Sequence, residues 1–225
     1  MHHYYLPPII QSKGTPVPLT TELDQFGKDD VEIEKTDVVY NGYFKMVKYR
    51  FRHRLFAGGW SDVLDRELFE RGHAVAMLPY DPVTDEVVLV EQIRIGAMVA
   101  SDSPWQLEIV AGIIDKDETP DAVAIREAEE EAGLHVLSLH PMTSYLSSSG
   151  GCSERIHLYL GLVDASSAKG VHGLPEEGED ILVHVVERAR AMEWVAKGKI
   201  ENAASIIALQ WLTLNRDKFD VTSGK

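Results

Sequence analysis

A single cysteine, Cys152, stands in 225 residues, which excludes both a disulfide framework and a thiolate zinc site. Cations are scarce as well. Lys and Arg total 22 against 36 Asp and Glu, a formal net charge of -14. Nucleic acid and anionic membrane surfaces are polyanions, so neither is an expected partner for so acidic a chain. No apolar run approaches the roughly 20 residues that span a bilayer. The opening "MHHYYLPPII" lacks the basic start and long apolar core of a secretory signal. A cytoplasmic, soluble protein is expected. There is no repeat and no low-complexity tract. What remains is ordinary globular composition, with length for one to two domains and a real core.

The first 27 residues, rich in Pro, Thr and Gly, read as an irregular arm. From Val31 to Phe56 the pattern is β-like, through "VEIEK" and "GYFKMVKYRFRHRLF", with Gly58-Gly59 as a turn. Period-two alternation sets Lys48, Arg50, Arg52 and Arg54 on one face, expected to be solvated. A second unit begins near Gly72. "HAVAMLPYD" and "EVVLVEQIR" are strands around the turn "DPVTDE", and "WQLEIVAG" is a third strand ending at Gly112. A helix follows, with Thr119 as N-cap, Pro120 at its first position and Gly133 just past its end. Next come a loop, "SYLSSSGG", the strand "RIHLYLGLV", the acidic loop "GLPEEGED" and the strand "ILVHVV". Two helices, about 187–197 and 202–215, follow. The mixture implies an α+β layered fold divided into 1–71 and 72–225. Trp105, Trp194 and Trp211 are expected in the core, and Cys152 is an incidental thiol. His73, His157 and His184, in strand patterns, are packed or surface residues.

The helix carries the chemistry. "REAEEEAG" places Glu127, Glu129, Glu130 and Glu131 in five consecutive positions. Like charges three and four apart repel, and carboxylates near a helix C-terminus face the negative end of its dipole. At about 100° per residue, Glu127, Glu130 and Glu131 share an arc of roughly 100°. Glu129 falls about 200° from Glu127, on the flank of the apolar face made by Ala124, Ala128, Ala132 and Ile125. Alone, such a ridge reads most simply as a solvated acidic face. Entry from a strand through Ala111-Gly112, with a further acid at Glu118, favours a second reading. A hard cation such as Mg2+ takes oxygen ligands, and an i, i+3, i+4 ridge supplies two or three of them.

The stretch "GIIDKDETPDAVAIREAEEEAGL", Gly112 to Leu134, resembles the Nudix box. Gly112, Glu118, Arg126, Glu127, Ala128, Glu130, Glu131, Gly133 and Leu134 occupy its fixed positions, and Glu129 falls where any residue is accepted. Seven fixed polar or Gly matches arise by chance about once in a million such chains. The likeness extends from about Phe26 to Leu214, through "FGKDDVEIE", "YRFRHRLF", "FERGHA", "EVVLVEQIRI", "SERI", "VHGLPEEGEDILVHVV" and "ENAASIIALQWL". It is nearest to the bacterial ADP-ribose diphosphatases. The resemblance implies a Nudix-type α/β/α sandwich with mixed sheets, preceded by an N-terminal antiparallel β domain. It also implies hydrolysis of a nucleoside-diphosphate-linked substrate with two or three Mg2+, Mn2+ substituting, in a domain-swapped homodimer.

Residue by residue, the resemblance implies that the Ala111 carbonyl and the carboxylates of Glu127, Glu131 and Glu179 bind Mg2+, with Glu130 able to join them. Glu177 is implied as general base and Arg94 as a ligand of the substrate diphosphate or its terminal ribose. Tyr43 and Phe44 would stack on adenine from the partner subunit, with Arg66, Glu67, Arg71, Ile113, Ser148, Gly150 and Glu154 nearby. Glu118 and Arg126 would orient the box. On its own, Glu177 is no more than a solvated loop acid. An anionic substrate on a chain of charge -14 requires Mg2+ and Arg66, Arg71 and Arg94 to make the local field positive.

One position departs from the pattern. ADP-ribose-specific members carry a proline about fifteen residues after the box, where this chain has Ser149. Three functions follow: an ADP-ribose diphosphatase, a hydrolase of other nucleoside-diphosphate sugars or dinucleotides, and a non-catalytic sensor. The full set of Glu127, Glu130 and Glu131 argues against the last.

Overall fold

The computed structural model describes residues 25–115 and 117–219. Two compact units result: one comprises Met46–Leu68 with the described part of Met1–Asn41, the other Gly42–Lys45 and Phe69–Lys225, again as far as described. Most of the N-terminal arm, residues 1–24, lies outside the described residues.

In the smaller unit β1 (Val31–Asn41), β2 (Lys45–His53) and β3 (Leu64–Glu70) form a sheet in that order. The cationic row of β2 is half solvated, as alternation implies, but it is also paired. Arg52 Nε donates to Glu32 at 2.8 Å and Arg50 Nε to Glu34 at 3.3 Å. Lys48 lies 3.5 Å from Asp65. Cross-strand neighbours of opposite charge meet because alternate side chains share a face. Arg54, past the end of β2, stacks on Trp60 at 4.2 Å.

The larger unit is built on β4 (Ala74–Asp81), β5 (Glu86–Ile93), β6 (Trp105–Glu108), β7 (Val110–Ile113), β8 (Ser138–Leu146), β9 (Arg155–Leu162), β10 (Val171–His172) and β11 (Ile181–Glu187). The sheet runs β10-β11-β5-β4-β9-β8, with β4 and β9 parallel. Its helices are α1 (Ile95–Ala100), α2 (Pro120–Ala132), α3 (Arg188–Ala196) and α4 (Ala203–Asn215). The continuous apolar run of β4 reflects burial on both faces. Val75 and Met77 pack with Val123, Ala124 and Ala128 of α2. Ala76, Leu78 and Tyr80 pack with Ala208, Leu209 and Leu212 of α4. The result is a mixed α+β fold with α2 on one face of the sheet and α4 on the other.

Several expectations change here. "WQLEIVAG" is not one strand. β4 and β5 pair only beside their turn, at Tyr80–Val87 and Asp81–Glu86, and then separate. β6 pairs β5 and β7 pairs β4 across the gap, so the chain switches partner at Ile109. The stretch "SYLSSSGG" is a loop only from Ser147, because Ser144, Tyr145 and Leu146 end β8. α1 and β8 were not expected at all. Trp105 is not core: it is 55% exposed on the short β6, whereas Trp194 and Trp211 pack against the α4 side of the core. Ile125, placed in the apolar arc, is 48% exposed. Among the described residues no helix is long and apolar enough to cross a membrane.

Candidate active site

α2 begins where its sequence says it should. Thr119 Oγ1 accepts from Ala122 N at 3.3 Å, and Pro120 occupies the first turn, where no N–H is needed. It stops at Gly133, whose φ of 61° is left-handed. A side chain there would also meet the His172 ring, with Cβ 2.7 Å from Cε1. Between these ends the glutamates divide. Glu131 is buried, 2% exposed. One of its oxygens accepts from Ala111 N at 2.9 Å and the other from Gln92 Nε2 at 3.4 Å. Glu127 lies against Gly112. A methyl on that glycine would overlap Oε1 and the carboxyl carbon of Glu127 and come within 2.6 Å of its Cγ. Glu129 is exposed.

Arg126 ties the ridge together. Its Nε and Nη2 each donate to Glu118 at 3.1 Å, and Nη1 donates to Glu130 at 2.7 Å. The same Nη1 lies 2.9 Å from Glu127. The hydrogen bonds it donates to Glu118, partly opposed by burial, raise the guanidinium pKa further above its usual range. So much negative charge in so little solvent also shifts the acids. Burial pushes the Glu127 carboxyl up to about 7, against the pull of Arg126 and with added repulsion from Glu130 and Glu179. Burial likewise pushes Glu131 up to about 8, opposed first by the Ala111 N–H.

The acidic loop is docked on this helix. Gly173 N donates to Glu130 O at 3.2 Å, and Leu174 N donates to Glu179 Oε2 at 3.1 Å. Glu179 is thereby within electrostatic reach of Glu127. Glu177 closes the short helical turn Pro175–Glu177, and its side chain lies outside the described residues.

The other expected residues fall into two groups in the larger unit. Tyr43, Phe44, Lys45, Glu70, Arg71, Gly72 and Ile113 line a cavity of about 280 Å3. Phe44 meets Tyr43 edge-on at 4.7 Å and Phe69 at 5.3 Å, and Arg71 lies over its ring at 5.2 Å. Arg71 is fixed by buried Glu154 at 3.2 Å. The loop carrying Ser148, Ser149 and Gly150 is closed by Gly151 N and Cys152 N, which donate to Ser148 O at 3.0 and 2.8 Å. Within the same unit Phe69 N donates to Gly151 O at 2.8 Å. The second group surrounds Arg94, which borders an open cavity of about 260 Å3 with Ser101, Gln106, Glu108, Glu201 and Asn202. Arg66 and Glu67 lie exposed on β3 in the smaller unit.

Residue pattern alone missed Gln92, Glu108 and Asn202. A signal existed for two of them. Gln92 shares the period-two face of Val88 and Val90, and Glu108 is a lone charge in an apolar strand.

Among the described residues no three acidic or histidine side chains already converge as a cation cage. The donor chemistry nevertheless fits a hard divalent cation: carboxylates and a backbone carbonyl, all oxygen. Two of those carboxyls are driven toward neutrality by burial and mutual repulsion, an effect that a bound cation reverses. Ala111, Glu127, Glu130, Glu131 and Glu179 are the residues that would hold it.

Comparison with known proteins places the site in a family. The NUDIX domain model matches residues 70–214. The chain is 57% identical over 190 residues to the ADP-ribose pyrophosphatase of Escherichia coli strain K12, covering 84% of this chain and 91% of that one. It is 50% identical over 198 residues to the ADP-ribose pyrophosphatase of Haemophilus influenzae, covering 87% and 91%. The GDP-mannose pyrophosphatase of Cronobacter sakazakii is 34% identical over 150 residues, 66% of this chain and 78% of that one. The solved structure of an ADP compounds hydrolase superposes with a TM-score of 0.65 at 19% identity, covering 85% and 97% of the two chains, and shares the fold. With the box folded as one ridge on α2 and the domain matched along most of its length, the chain belongs to the Nudix family and is a Nudix diphosphatase.

Proposed function

We propose that this protein is a Mg2+-dependent ADP-ribose diphosphatase, giving AMP and ribose 5-phosphate. The carrying observation is the convergence of Glu127 and Glu131 on the backbone at Ala111-Gly112, with Glu130 on the same ridge. The identity of 57% to an ADP-ribose pyrophosphatase supports the substrate. Mg2+, when bound, would neutralise diphosphate charge and lower the pKa of an attacking water. Mn2+, with the same taste for oxygen ligands, would substitute.

The chain's own groups do the rest. Glu177 accepts the proton of the attacking water as its oxygen bonds to phosphorus and the bridging P–O bond breaks. Arg94 holds the diphosphate or the terminal ribose. Phe44 and Tyr43 of the partner subunit give adenine an aromatic wall, and Arg66, Glu67, Ser148, Gly150 and Glu154 are assigned to substrate binding in the same reading. Arg71 is held over Phe44 by Glu154, so the adenine wall is rigid before substrate arrives.

A homodimer in which N-terminal strands exchange fits the same reading. β1 is an edge strand exposed along nearly its whole length, with Val31, Ile33, Val38, Val39 and Tyr40 among its exposed residues, so its backbone is open to pairing with a second chain. Light scattering should give twice the chain mass of 25.1 kDa. A cytoplasmic location belongs to this reading.

A second substrate reading, nucleoside-diphosphate sugars or dinucleotides, is favoured by Ser149 in the loop after the box. A panel of ADP-ribose, NADH, diadenosine polyphosphates and nucleotide sugars with Mg2+ separates the two. ADP-ribose should have the highest kcat/KM. A nucleotide sugar turned over faster would overturn the first reading. On the preferred substrate, Glu131→Gln should lose most activity and Glu129→Ile should keep it; comparable losses would remove the ridge from the chemistry.

A further inference from the structure

Glu108 is a buried carboxylate that neither the metal ridge nor the proton transfer uses. It closes β6 with a side chain only 7% exposed. A buried carboxylate needs partners, and both of its oxygens have them. Oε2 accepts from Arg94 Nε at 2.8 Å, and Oε1 accepts from Asn202 Nδ2 at 2.9 Å. Asn202 is the N-cap of α4, and its Oδ1 accepts from Ser205 N at 3.1 Å and from Ser205 Oγ at 3.2 Å. Ser205 Oγ in turn accepts from Ile109 N at 3.1 Å, between β6 and β7.

The chain of bonds leaves little choice of orientation. An Asn amide has one oxygen and one NH2. Capping consumes the oxygen, so the NH2 must face Glu108. Glu108, held on that side, then takes Nε of Arg94, the donor farthest from the end-on fork that grips a diphosphate. Arg94 also lies close enough to Glu131 for its charge to act on that carboxylate. A hydrogen-bonded series thus runs from the α4 N-terminus through buried Glu108 to Arg94.

We infer that Glu108 and Asn202 are positioning residues for the hydrolytic reaction. Together they hold the Arg94 guanidinium in the orientation that meets the substrate diphosphate, and they act only through Arg94. The inference rests on the proposed role of Arg94. Its physical content is pre-organisation: a flexible arginine ordered beforehand loses less side-chain entropy when substrate binds.

The test is a mutant cycle read in steady-state kinetics with ADP-ribose and Mg2+. Glu108→Gln removes the charge at similar size. Asn202→Ser keeps an acceptor for the α4 cap and removes the donor to Glu108, so it serves as the second variant where Glu108→Gln folds poorly. Each should raise KM about three- to tenfold while kcat changes less than about twofold and the circular dichroism spectrum stays native. In the Arg94→Ala background neither substitution should raise KM further. Multiplying effects in the double variant, or an unchanged KM in both folded single variants, would overturn the inference while leaving Arg94 in the site. An unchanged kcat/KM for Arg94→Ala alone would instead remove Arg94, and the positioning role with it.

Discussion

Gly112 and Glu127 compete for the same space, and the competition shows why the box needs glycine. The glycine is not in a left-handed conformation, so its lack of a side chain answers crowding rather than backbone strain. Any Cβ would strike the Glu127 carboxyl. That carboxyl is the far end of a flexible side chain, so Gly112→Ala should fold, with Tm within a few degrees of wild type. The displaced carboxylate should nonetheless cost about 100-fold in kcat, the usual penalty for moving a catalytic group by an ångström. Near-normal kcat with native Tm would show that Glu127 is not needed at this position. The spacing of Glu127, Glu130 and Glu131 made the ridge legible in the sequence, and helical phase set Glu129, which is exposed, apart from it. Depth was not legible. Helical phase orders side chains around an axis but does not say that Glu131 is almost fully buried and is held by Ala111 N–H from a strand twenty residues away.

At the scale of elements, the best-read segment was the one with the strongest local chemistry. α2 has a threonine cap, a proline in its first turn and a left-handed glycine at its end, and all three appear as expected. Thr119→Ala should therefore cost about 1 kcal/mol, lowering Tm by about 2–4 °C in a domain of this size. Activity at low temperature should be preserved, because the cap lies about two turns from Arg126. A larger kinetic than thermal effect would mean that the cap positions the ridge as well. The poorly read elements lack such signals. β8 contains Pro141 and a bulge between Pro141 and Thr143. Both are tolerated because β8 is an edge strand, and both erase the alternation that marks a strand. The division of "WQLEIVAG" into β6 and β7 depends on β4 and β5 separating, which no local pattern contains.

Across the larger unit, ion pairs join segments distant in sequence. Asp85, at a positive φ of 58°, accepts from Arg188 Nε and Nη2 at 2.8 and 2.9 Å and from Tyr80 Oη at 3.0 Å. Arg216 approaches it at 3.4 Å. The β4–β5 turn is thus tied to α3 and to the segment after α4. Burial alone would raise the Asp85 carboxyl, but the bonds from Arg188 and Tyr80 outweigh it and hold the group below its ordinary 3.8. A carboxyl depressed in the folded state stabilises fully above its unfolded pKa, and the contribution disappears as pH falls through the folded value. Asp85→Asn should lower Tm by several degrees at pH 7, about 1–3 kcal/mol. The gap to wild type should close below about pH 4. A gap constant with pH would assign the loss to packing instead of charge.

Residue order alone carried the Nudix family, the helix that bears the ridge, the difference in helical phase between Glu129 and its neighbours, and the acidic balance of the chain. These are properties of spacing and composition, and spacing survives in the string. Which carboxylates lose solvent, which strands the chain between β5 and α2 joins, and the placing of Glu108 and Asn202 behind Arg94 depend on the assembled sheet. Burial and hydrogen bonding across nearly a hundred residues arise when the sheet closes between α2 and α4, and no segment carries them alone.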